Sequence, residues 1–356
     1  INEYKKDNAA LEPFAAADIL MPAGKRTLSQ WVKFANSLRL RLAIRVSMSA
    51  PDLARAEVAK AMDATAGGVL ESADETVAVS TESGYKNPLG TVNEGWGEVF
   101  MGATMESVLV GYNDPRQIKY YSKAEGGDIK DEKGNLIIAE RNKIAGTYKG
   151  VPQGTGVTVK DENRYRLHSK STITKQTDAI LMTAAEVWFL RAEAALRGFT
   201  SENVKDCYEK GITVSCQQWG VNVGDYLTSD ATPSDYVDAF EAKYDVKALI
   251  KVTPKWDGGA SPEEQLERIL TQKWIACYPE GYEAWTEQRR TGYPQLFKVF
   301  VNNSGGAIDT DIRIRRLPYP SDIQKNNPTQ YSALKKALGG EDNGGTRLWW
   351  DTGRNF

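Results

Sequence analysis

The sequence predicts a mostly α-helical protein in which helical hairpins alternate with long irregular segments. Apolar residues recur every three or four positions along several stretches, which is the spacing of a helix with one buried face. Ser or Thr followed three residues later by Glu stands before two of these stretches and marks the start of a helix. The stretches between them contain Gly, Pro and Asn, which favour turns. These observations predict a helical scaffold that carries long loops.

The first predicted hairpin lies near residues 29–63. Ser29 caps its first helix, and two apolar stripes follow, one through Trp31, Phe34, Ala35, Leu38 and Leu42 and the other through Leu40 and Ile44. Pro51 stands at the first position of the second helix, whose inward face carries mostly small residues. Because small residues let two helices approach closely, we predict a tight antiparallel pair.

The second predicted hairpin lies near residues 183–219. Thr183 and Glu186 form a capping box that opens a helix ending at Gly198, and Ser201 begins its partner. The predicted hairpins are similar to tetratricopeptide-type units, although the full 34-residue signature of that repeat is not intact.

The third predicted hairpin, near residues 261–300, begins with a capping box at Ser261 and Glu264. It contains a segment dense in aromatic residues and arginine: Trp274, Tyr278, Trp285, Arg289 and Arg290. Such residues can stack a sugar or clamp an anion. They can equally fill grooves between helices while the arginines pair with Glu283 or Glu287 and bond loop carbonyls, and we favour this scaffold interpretation.

Loop-rich insertions are predicted near residues 82–156 and 221–259, and Lys133-Gly134 between apolar runs predicts a small β-hairpin. Long loops in compact helical proteins are usually functional. Aromatic side chains in such loops have no helical stripe to explain them, and they suit the apolar faces of sugars when amides lie nearby. The candidate ligand-binding residues are Tyr85, Asn87, Asn93, Trp96, Tyr120, Tyr121, Trp219, Tyr226 and Trp256. For each of them, packing within the loop is the alternative.

The composition excludes several classes of protein. The 45 basic and 47 acidic side chains are interspersed, which argues against a nucleic-acid partner. His168 is the only histidine, so a Ser/His/Asp or Cys/His site would have to use it. The three cysteines do not have disulfide or zinc spacing, and no run of residues is apolar enough for a membrane span or a signal peptide.

No cofactor is predicted, although structural calcium is an alternative. Asp128, Asp131 and Glu132 supply carboxylates of the kind that bind calcium, but they lack the 12-residue calcium-loop pattern. Asp114-Pro115-Arg116 is another candidate ion site. We interpret it as a capped turn with a structural ion pair.

Seven motifs occur in one order along nearly the whole chain: WVKFANSLRLRLAIRVS, GYNDPRQIKYY, YKGVPQG, EVWFLRAEAALRG, QKWIACYPEGYEAWTEQRRTGYP, RIRRLPYPSDIQKNN and RLWWDTG. In these motifs the chain resembles the SusD/RagB family. The resemblance implies a single SusD-like domain over residues 1–356 on a tetratricopeptide-like scaffold. It also implies that the N-terminal part of a full-length member, with its lipidated cysteine, is missing from this sequence.

The resemblance further implies a cell-surface lipoprotein of the Bacteroidetes outer membrane, attached to the membrane only through that lipid anchor. Such a protein captures oligosaccharide or polysaccharide and delivers it to a SusC-like TonB-dependent transporter, without catalytic activity. Two alternatives remain open. One is a glycoside hydrolase on an all-helical fold, which needs a pair of carboxylates across a cleft. The other is a tetratricopeptide-type module that binds a protein or peptide segment.

Overall fold

The computed structural model describes residues 12–156 and 163–356, and within these ranges it is mostly helical, as predicted. The described helices are α1 Glu12–Ala17, α2 Leu28–Arg45, α3 Pro51–Met62, α4 Pro88–Trp96, α5 Ala103–Gly111, α6 Gln117–Tyr120, α7 Ala184–Leu196, α8 Val204–Gln218, α9 Pro262–Ala276, α10 Gly281–Thr291, α11 Ser321–Asn326 and α12 Pro328–Leu338. The same ranges contain four short strands: β1 Val77–Val79, β2 Ile129–Lys130, β3 Leu136–Ile138 and β4 Ala179–Met182. No helix in the described ranges has the length and apolarity to cross a bilayer.

The predicted hairpins form the scaffold. Helix α2 packs on α3, α7 packs on α8, and α9 lies against α7, so that their apolar faces share one core. Ala54, Val58 and Ala61 of α3 are completely buried, which agrees with the close approach predicted for this pair.

Two predicted helix starts are wrong. Thr27 caps α2 in place of Ser29, and Asn203 caps α8 in place of Ser201, because their side chains accept the free amides of the first turn.

One of the two predicted capping boxes forms completely. Ser261 and Glu264 exchange both hydrogen bonds at the start of α9. At the start of α7, Thr183 accepts from the Glu186 amide, but the Glu186 carboxylate turns away and accepts from Arg41 Nε at 2.6 Å. A charge-assisted bond to a guanidinium is stronger than a bond to a backbone amide, so the ion pair displaces half of the box.

The strands form two antiparallel pairs, β1 with β4 and β2 with β3. The β2–β3 pair is the predicted hairpin, and Gly134 takes the left-handed conformation in its turn. The Asp131 carboxylate accepts from the amides of Lys133 and Asn135 in that turn. Among the described residues, no three or more His, Cys, Asp or Glu side chains form a group that could hold a metal ion.

Residues 82–96 depart from the predicted loop, since most of them form α4. Asn87 caps this helix, Pro88 is its first residue and Gly97 ends it in the left-handed conformation. Gly90 lies inside α4, where glycine is normally unfavourable, and its presence has a packing reason. A Cβ there would lie 2.1 Å from the backbone of Thr174, so only glycine lets α4 approach that segment. Two further helices, α5 and α6, lie within the insertion predicted near residues 82–156.

The ion-pair interpretations are confirmed for Arg116 and Arg290, whereas Arg289 makes only the predicted kind of bond to a loop carbonyl, that of Arg315. Arg116 is completely buried and donates from Nε and Nη2 to Asp114, as expected for a structural pair. Arg290 is equally buried and binds Glu193 and Glu287 at 2.7 and 2.6 Å. The three cysteines are free and buried.

A buried cluster of charges fixes α10 against the scaffold. Lys273 of α9 lies 3.3 Å from both Glu283 and Glu287 of α10. Arg41 and Arg45 of α2 approach the same Glu283. One face of α10 is therefore held by ion pairs to α2, α7 and α9, which leaves the opposite face free to form a site.

Candidate functional site

The outward face of α10 carries two aromatic residues three positions apart. Tyr282 is 75% exposed and Trp285 is half-buried. Because residues at i and i+3 are neighbours on a helix surface, the two positions share one face of α10, on the side away from Glu283, Glu287 and Arg290. The buried ion pairs on the inner face thus determine which way the rings point.

These rings form part of what we call the α10 groove, which consists of two adjacent chambers that share Gly281 and Trp285 as walls. The main chamber has a volume of about 730 Å³. Ligand pockets in proteins typically measure roughly 300 to 1,000 Å³, so the chamber is large enough for a small ligand. The side chamber measures about 520 Å³ and lies between α10 and strand β4. Its wall is largely apolar and includes Leu89, Leu181 and Tyr282.

The main chamber combines aromatic rings with side-chain amides. The rings are Tyr121, Trp274, Trp285 and Phe297, and the amides are Gln153, Gln288, Asn302 and Asn303. Asn302 is committed to its own loop, where it donates to Ile308 O and accepts from the Ser304 amide. Within the described part of the chain, the Gln288 and Asn303 amides make no hydrogen bond. They are therefore able to bind a ligand.

Trp285 has a fixed orientation in the wall. Its Nε1 donates to Ile314 O at 3.1 Å, and the guanidinium of Arg289 lies 3.6 Å from the centre of its ring. A cation over the ring and a hydrogen bond at its edge restrain both rotation and tilt. The side chain is therefore preorganised for contact with a ligand in either chamber.

The carboxylates of the groove are committed to the protein's own backbone. Asp309 in the main chamber accepts from the amides of Asp311 and Ile312, which lowers its pKa. Glu280 in the side chamber accepts from the Glu283 amide as the cap of α10, and burial raises its pKa. A glycoside hydrolase needs two carboxylates that face the substrate across a cleft, one as acid and one as base or nucleophile. Asp309 and Glu280 do not meet that requirement, because both accept bonds from backbone amides.

Two predicted ligand amides hold the backbone. Asn87 lines the side chamber, but it is only 4% exposed, and its side chain accepts from the Leu89 amide and donates to Thr177 O. Asn93 donates to Ser171 O and Ile173 O. The expectation that they lie free in a loop is wrong, because both side chains dock α4 against the neighbouring segment.

Three predicted ligand tyrosines lie in the core. Tyr120 is completely buried and donates to Ile275 O at 3.0 Å. Tyr226 is buried and donates to Asp114 at 2.7 Å. Tyr121 is buried beside Tyr278, although it also contributes to the wall of the main chamber. The expectation that these rings face solvent is wrong, since the segments that carry them fold back onto α9.

The remaining predicted aromatics differ in exposure. Trp219 packs against Tyr120 with ring centres 4.8 Å apart, and Trp256 packs against Tyr208 at 5.1 Å, so both are partly buried in the core. Tyr85 is half-buried. Trp96 is 61% exposed at the end of α4, six residues before Gly102 of the main chamber. Of the nine candidates, Trp96 remains as a solvent-facing aromatic near the groove.

From the sequence alone, Trp285 is interpreted as part of the scaffold and Tyr282 is not singled out. A signal for them does exist, since the i, i+3 spacing of the two rings places them opposite the charged residues of the same helix. At the C-terminus, Trp349 is 68% exposed while Trp350 lies 5.1 Å from the Arg289 guanidinium. One indole of the pair thus points outward, as adjacent positions require.

Comparison with known proteins identifies the fold. A family model described as Susd and RagB outer membrane lipoprotein matches residues 4–351. A SusD homolog from Bacteroides vulgatus shares 50% sequence identity at a TM-score of 0.89, over 100% of this chain and 69% of that one. A chitin-binding SusD homolog from Flavobacterium johnsoniae shares 35% identity at a TM-score of 0.87, over 99% of this chain and 69% of that one. None of the curated proteins compared with the chain matches it.

The family match spans nearly the whole chain, and the two structural relatives exceed 30% identity. These matches confirm the predicted resemblance, the helical fold, the outer-membrane localisation and the interpretation as a binding protein and not an enzyme. The chain belongs to the SusD-like family of Susd and RagB outer membrane lipoproteins.

Proposed function

We propose that the protein captures oligosaccharide or polysaccharide at the outer membrane, binds it in the α10 groove and delivers it to a SusC-like TonB-dependent transporter. Family membership and the chitin-binding relative at 35% identity support glycan as the ligand class. One observation supports the α10 groove as the binding site. Its walls combine the rings of Trp285 and exposed Tyr282 with the side-chain amides of Gln288 and Asn303, which make no hydrogen bond within the described chain.

The chemistry of the groove suits a sugar chain. Pyranose rings have apolar C–H faces that pack on aromatic rings, and hydroxyl groups that both donate and accept hydrogen bonds. Tyr282 and Trp285 supply the rings, while each amide supplies a carbonyl acceptor and two N–H donors. Each contact is weak, so affinity is expected to accumulate along a polymer that occupies both chambers.

Preorganisation supplies the selectivity in this proposal. Trp285 is restrained by Arg289 and Ile314, and α10 is held by buried ion pairs, so the ring does not lose much freedom when ligand binds. The spacing of the rings then selects glycans whose curvature presents successive apolar faces to them.

Affinity gel electrophoresis against a panel of soluble polysaccharides tests the binding. We expect retardation by at least one glycan without release of new reducing ends. Tyr282→Ala should weaken the retardation because it removes an exposed ring of the groove. Trp349→Ala removes an equally exposed aromatic that lines neither chamber, so it is the matched control.

Three outcomes would contradict the proposal. New reducing ends would indicate a hydrolase. The absence of retardation by every glycan would favour a peptide cargo or an assembly role. Equal losses in the two variants would place the site outside the groove. Delivery is tested separately, by asking whether the lipid-anchored protein co-purifies from outer membranes with a TonB-dependent transporter.

A further inference from the structure

A second pocket, of about 310 Å³, lies beside the C-terminal end of α10. Five arginines line it: Arg289, Arg290, Arg313, Arg315 and Arg347. Among the described residues, Asp311 is the one carboxylate in its wall. We call this the arginine pocket, and its composition raises the question of which charges balance it.

The carboxylates behind the arginine pocket balance only part of this charge. Arg290 is fully paired with Glu193 and Glu287. Arg315 and Arg347 share a single partner, Asp351.

The other two arginines have no carboxylate partner in the part of the chain that the structure describes. Arg289 donates to the carbonyls of Trp285 and Arg315 and to Thr286 Oγ1. Arg313 donates to Gln153 and to the carbonyls of Leu296 and Phe297. In the described ranges neither guanidinium lies within ion-pairing distance of a carboxylate.

Arg289 is therefore a buried cation with no carboxylate in direct contact among the described residues, and the more distant Asp351 and Glu283 offset its charge only in part. Burial, together with the charges of Arg315 and Arg45, lowers the pKa of Arg289 to about 10. Buried charges are normally paired, because an unpaired charge loses hydration without compensation. An anion in the arginine pocket would supply the missing compensation.

Hydrogen-bond donors also remain available. A guanidinium carries five N–H donors, and among the described residues the side chain of Arg347 donates only from Nη1, to Asp351 at 2.5 Å. Its side chain is 38% exposed, so its remaining donors can be reached from solvent. Carboxylates and tetrahedral oxyanions such as phosphate can present two oxygens to this fork and accept two parallel bonds.

We infer that the arginine pocket binds a small oxyanion, namely a sulfate, phosphate or carboxylate group. Asp311 opposes this in part, but it is exposed and its charge is screened by water. The pocket shares Gln288, Leu296 and Arg313 with the main chamber of the α10 groove. The oxyanion is therefore either a free ion or an acidic substituent on a glycan held in the groove, and only the second source rests on the proposed function.

The primary test is calorimetric titration of sodium sulfate and sodium phosphate into the protein at constant ionic strength set by chloride. Arg347→Gln should weaken binding about ten-fold or more, because it removes a charge-assisted contact. Asp351 keeps Arg315 as its partner in this variant. Arg354→Gln removes a nearby exposed arginine that does not line the pocket, and it should leave binding unchanged.

The arginine Nε–H resonances of the unmodified protein provide a second readout that does not depend on how any variant folds. Sulfate should shift a small set of them in a saturable way. Absence of saturable binding by sulfate and phosphate, or equal effects of the two substitutions, would overturn the inference.

The source of the oxyanion is distinguished with an oligogalacturonate and its neutral methyl ester. Tighter binding of the acid, together with competition by sulfate, would identify a glycan substituent. Sulfate binding with no preference for the acid would identify a free ion. Glycan binding that sulfate does not affect, in a protein that does not bind sulfate, would refute the arginine pocket and leave the proposed function standing.

Discussion

Arg289 and Arg315 each donate a hydrogen bond to the other's main-chain carbonyl. Arg289 Nη1 lies 2.6 Å from Arg315 O, and Arg315 Nη2 returns the bond to Arg289 O. This reciprocal pair joins the end of α10 to the segment before α11, although the two cations repel each other. Asp351 offsets part of the repulsion, since its Oδ2 accepts from Arg315 Nε at 2.7 Å. Asp351 thus stabilises the segment that positions Arg289, whose guanidinium packs on Trp285 in the wall of the α10 groove.

Asp351→Asn is expected to lower the free energy of unfolding by about 3–5 kcal/mol, because it leaves buried Arg315 without its carboxylate. Urea unfolding at pH 7 measures the change. Asp322→Asn on exposed α11 is the control and should stay within about 0.5 kcal/mol of the parent. Equal effects of the two substitutions would show that Asp351 has no structural role.

His168 is expected to remain neutral in the folded protein at every pH down to about 3. Burial, followed by the charge of Lys149, lowers its pKa from 6.5 to about 3, and neither ring nitrogen has a hydrogen-bond partner among the described residues. As the chain has one histidine, a single imidazole Cε1–H resonance reports on it. A midpoint near 6.5 in the folded protein, equal to that of the urea-unfolded chain, would contradict the buried position.

The same shift predicts a dependence of stability on pH. Below pH 6.5 the unfolded chain binds a proton at His168 that the folded protein does not bind, so stability falls as the pH is lowered toward 3. The slope approaches about 1.4 kcal/mol per pH unit. His168→Phe should flatten the stability profile between about pH 6 and 4.5, where most carboxylates are still ionised, and an unchanged profile would count against this cause.

Glu287→Gln tests the buried charge cluster under α10. Arg290 and Lys273 hold the pKa of Glu287 well below its usual range despite burial, so the carboxylate stabilises the fold above about pH 4.5, and this contribution is lost as the pH falls further. We expect a cost of about 3–5 kcal/mol at pH 7 that shrinks below pH 4.5. The surface pair Lys205–Glu209 is the control, and Glu209→Gln should cost less than about 1 kcal/mol at either pH.

Sequence reasoning succeeded where the signal is local. Pro51 and the Ser261 capping box mark their helices because both act through the first helical turn. It failed where contacts are distant in sequence. Tyr120 was expected on a loop surface, yet its hydroxyl donates to Ile275 in α9, a contact that no local pattern encodes. Tyr282 is missed for a different reason. The scaffold interpretation holds for the charged inner face of α10, but it does not hold for the outer face, where Tyr282 lies.

Gly90→Ala and Gly95→Ala are expected to have opposite effects within α4. A Cβ at Gly90 would overlap the backbone of Thr174, which should cost about 1–3 kcal/mol or displace the helix. A Cβ at Gly95 meets nothing within 4 Å, so alanine there should stabilise the helix by up to about 1 kcal/mol. Thermal unfolding of the two variants measures the difference, and a common direction would show that α4 is not docked on this segment.

Trp96→Ala is expected to weaken binding of a long glycan while leaving a short one unaffected. Leu89 of the side chamber and Trp96 lie at opposite ends of α4, about 10 Å apart along the helix axis at 1.5 Å per residue. A polymer in the groove can extend to Trp96 and gain a further stacking contact through its high effective concentration, whereas a short oligosaccharide cannot reach it. Tyr282→Ala should weaken the binding of both ligands, because it alters the groove itself.

Calorimetry with a polymer and an oligosaccharide of the same sugar separates these cases. An equal loss for both ligands in Trp96→Ala would place the primary site at Trp96, and no loss for either would remove Trp96 from the binding surface.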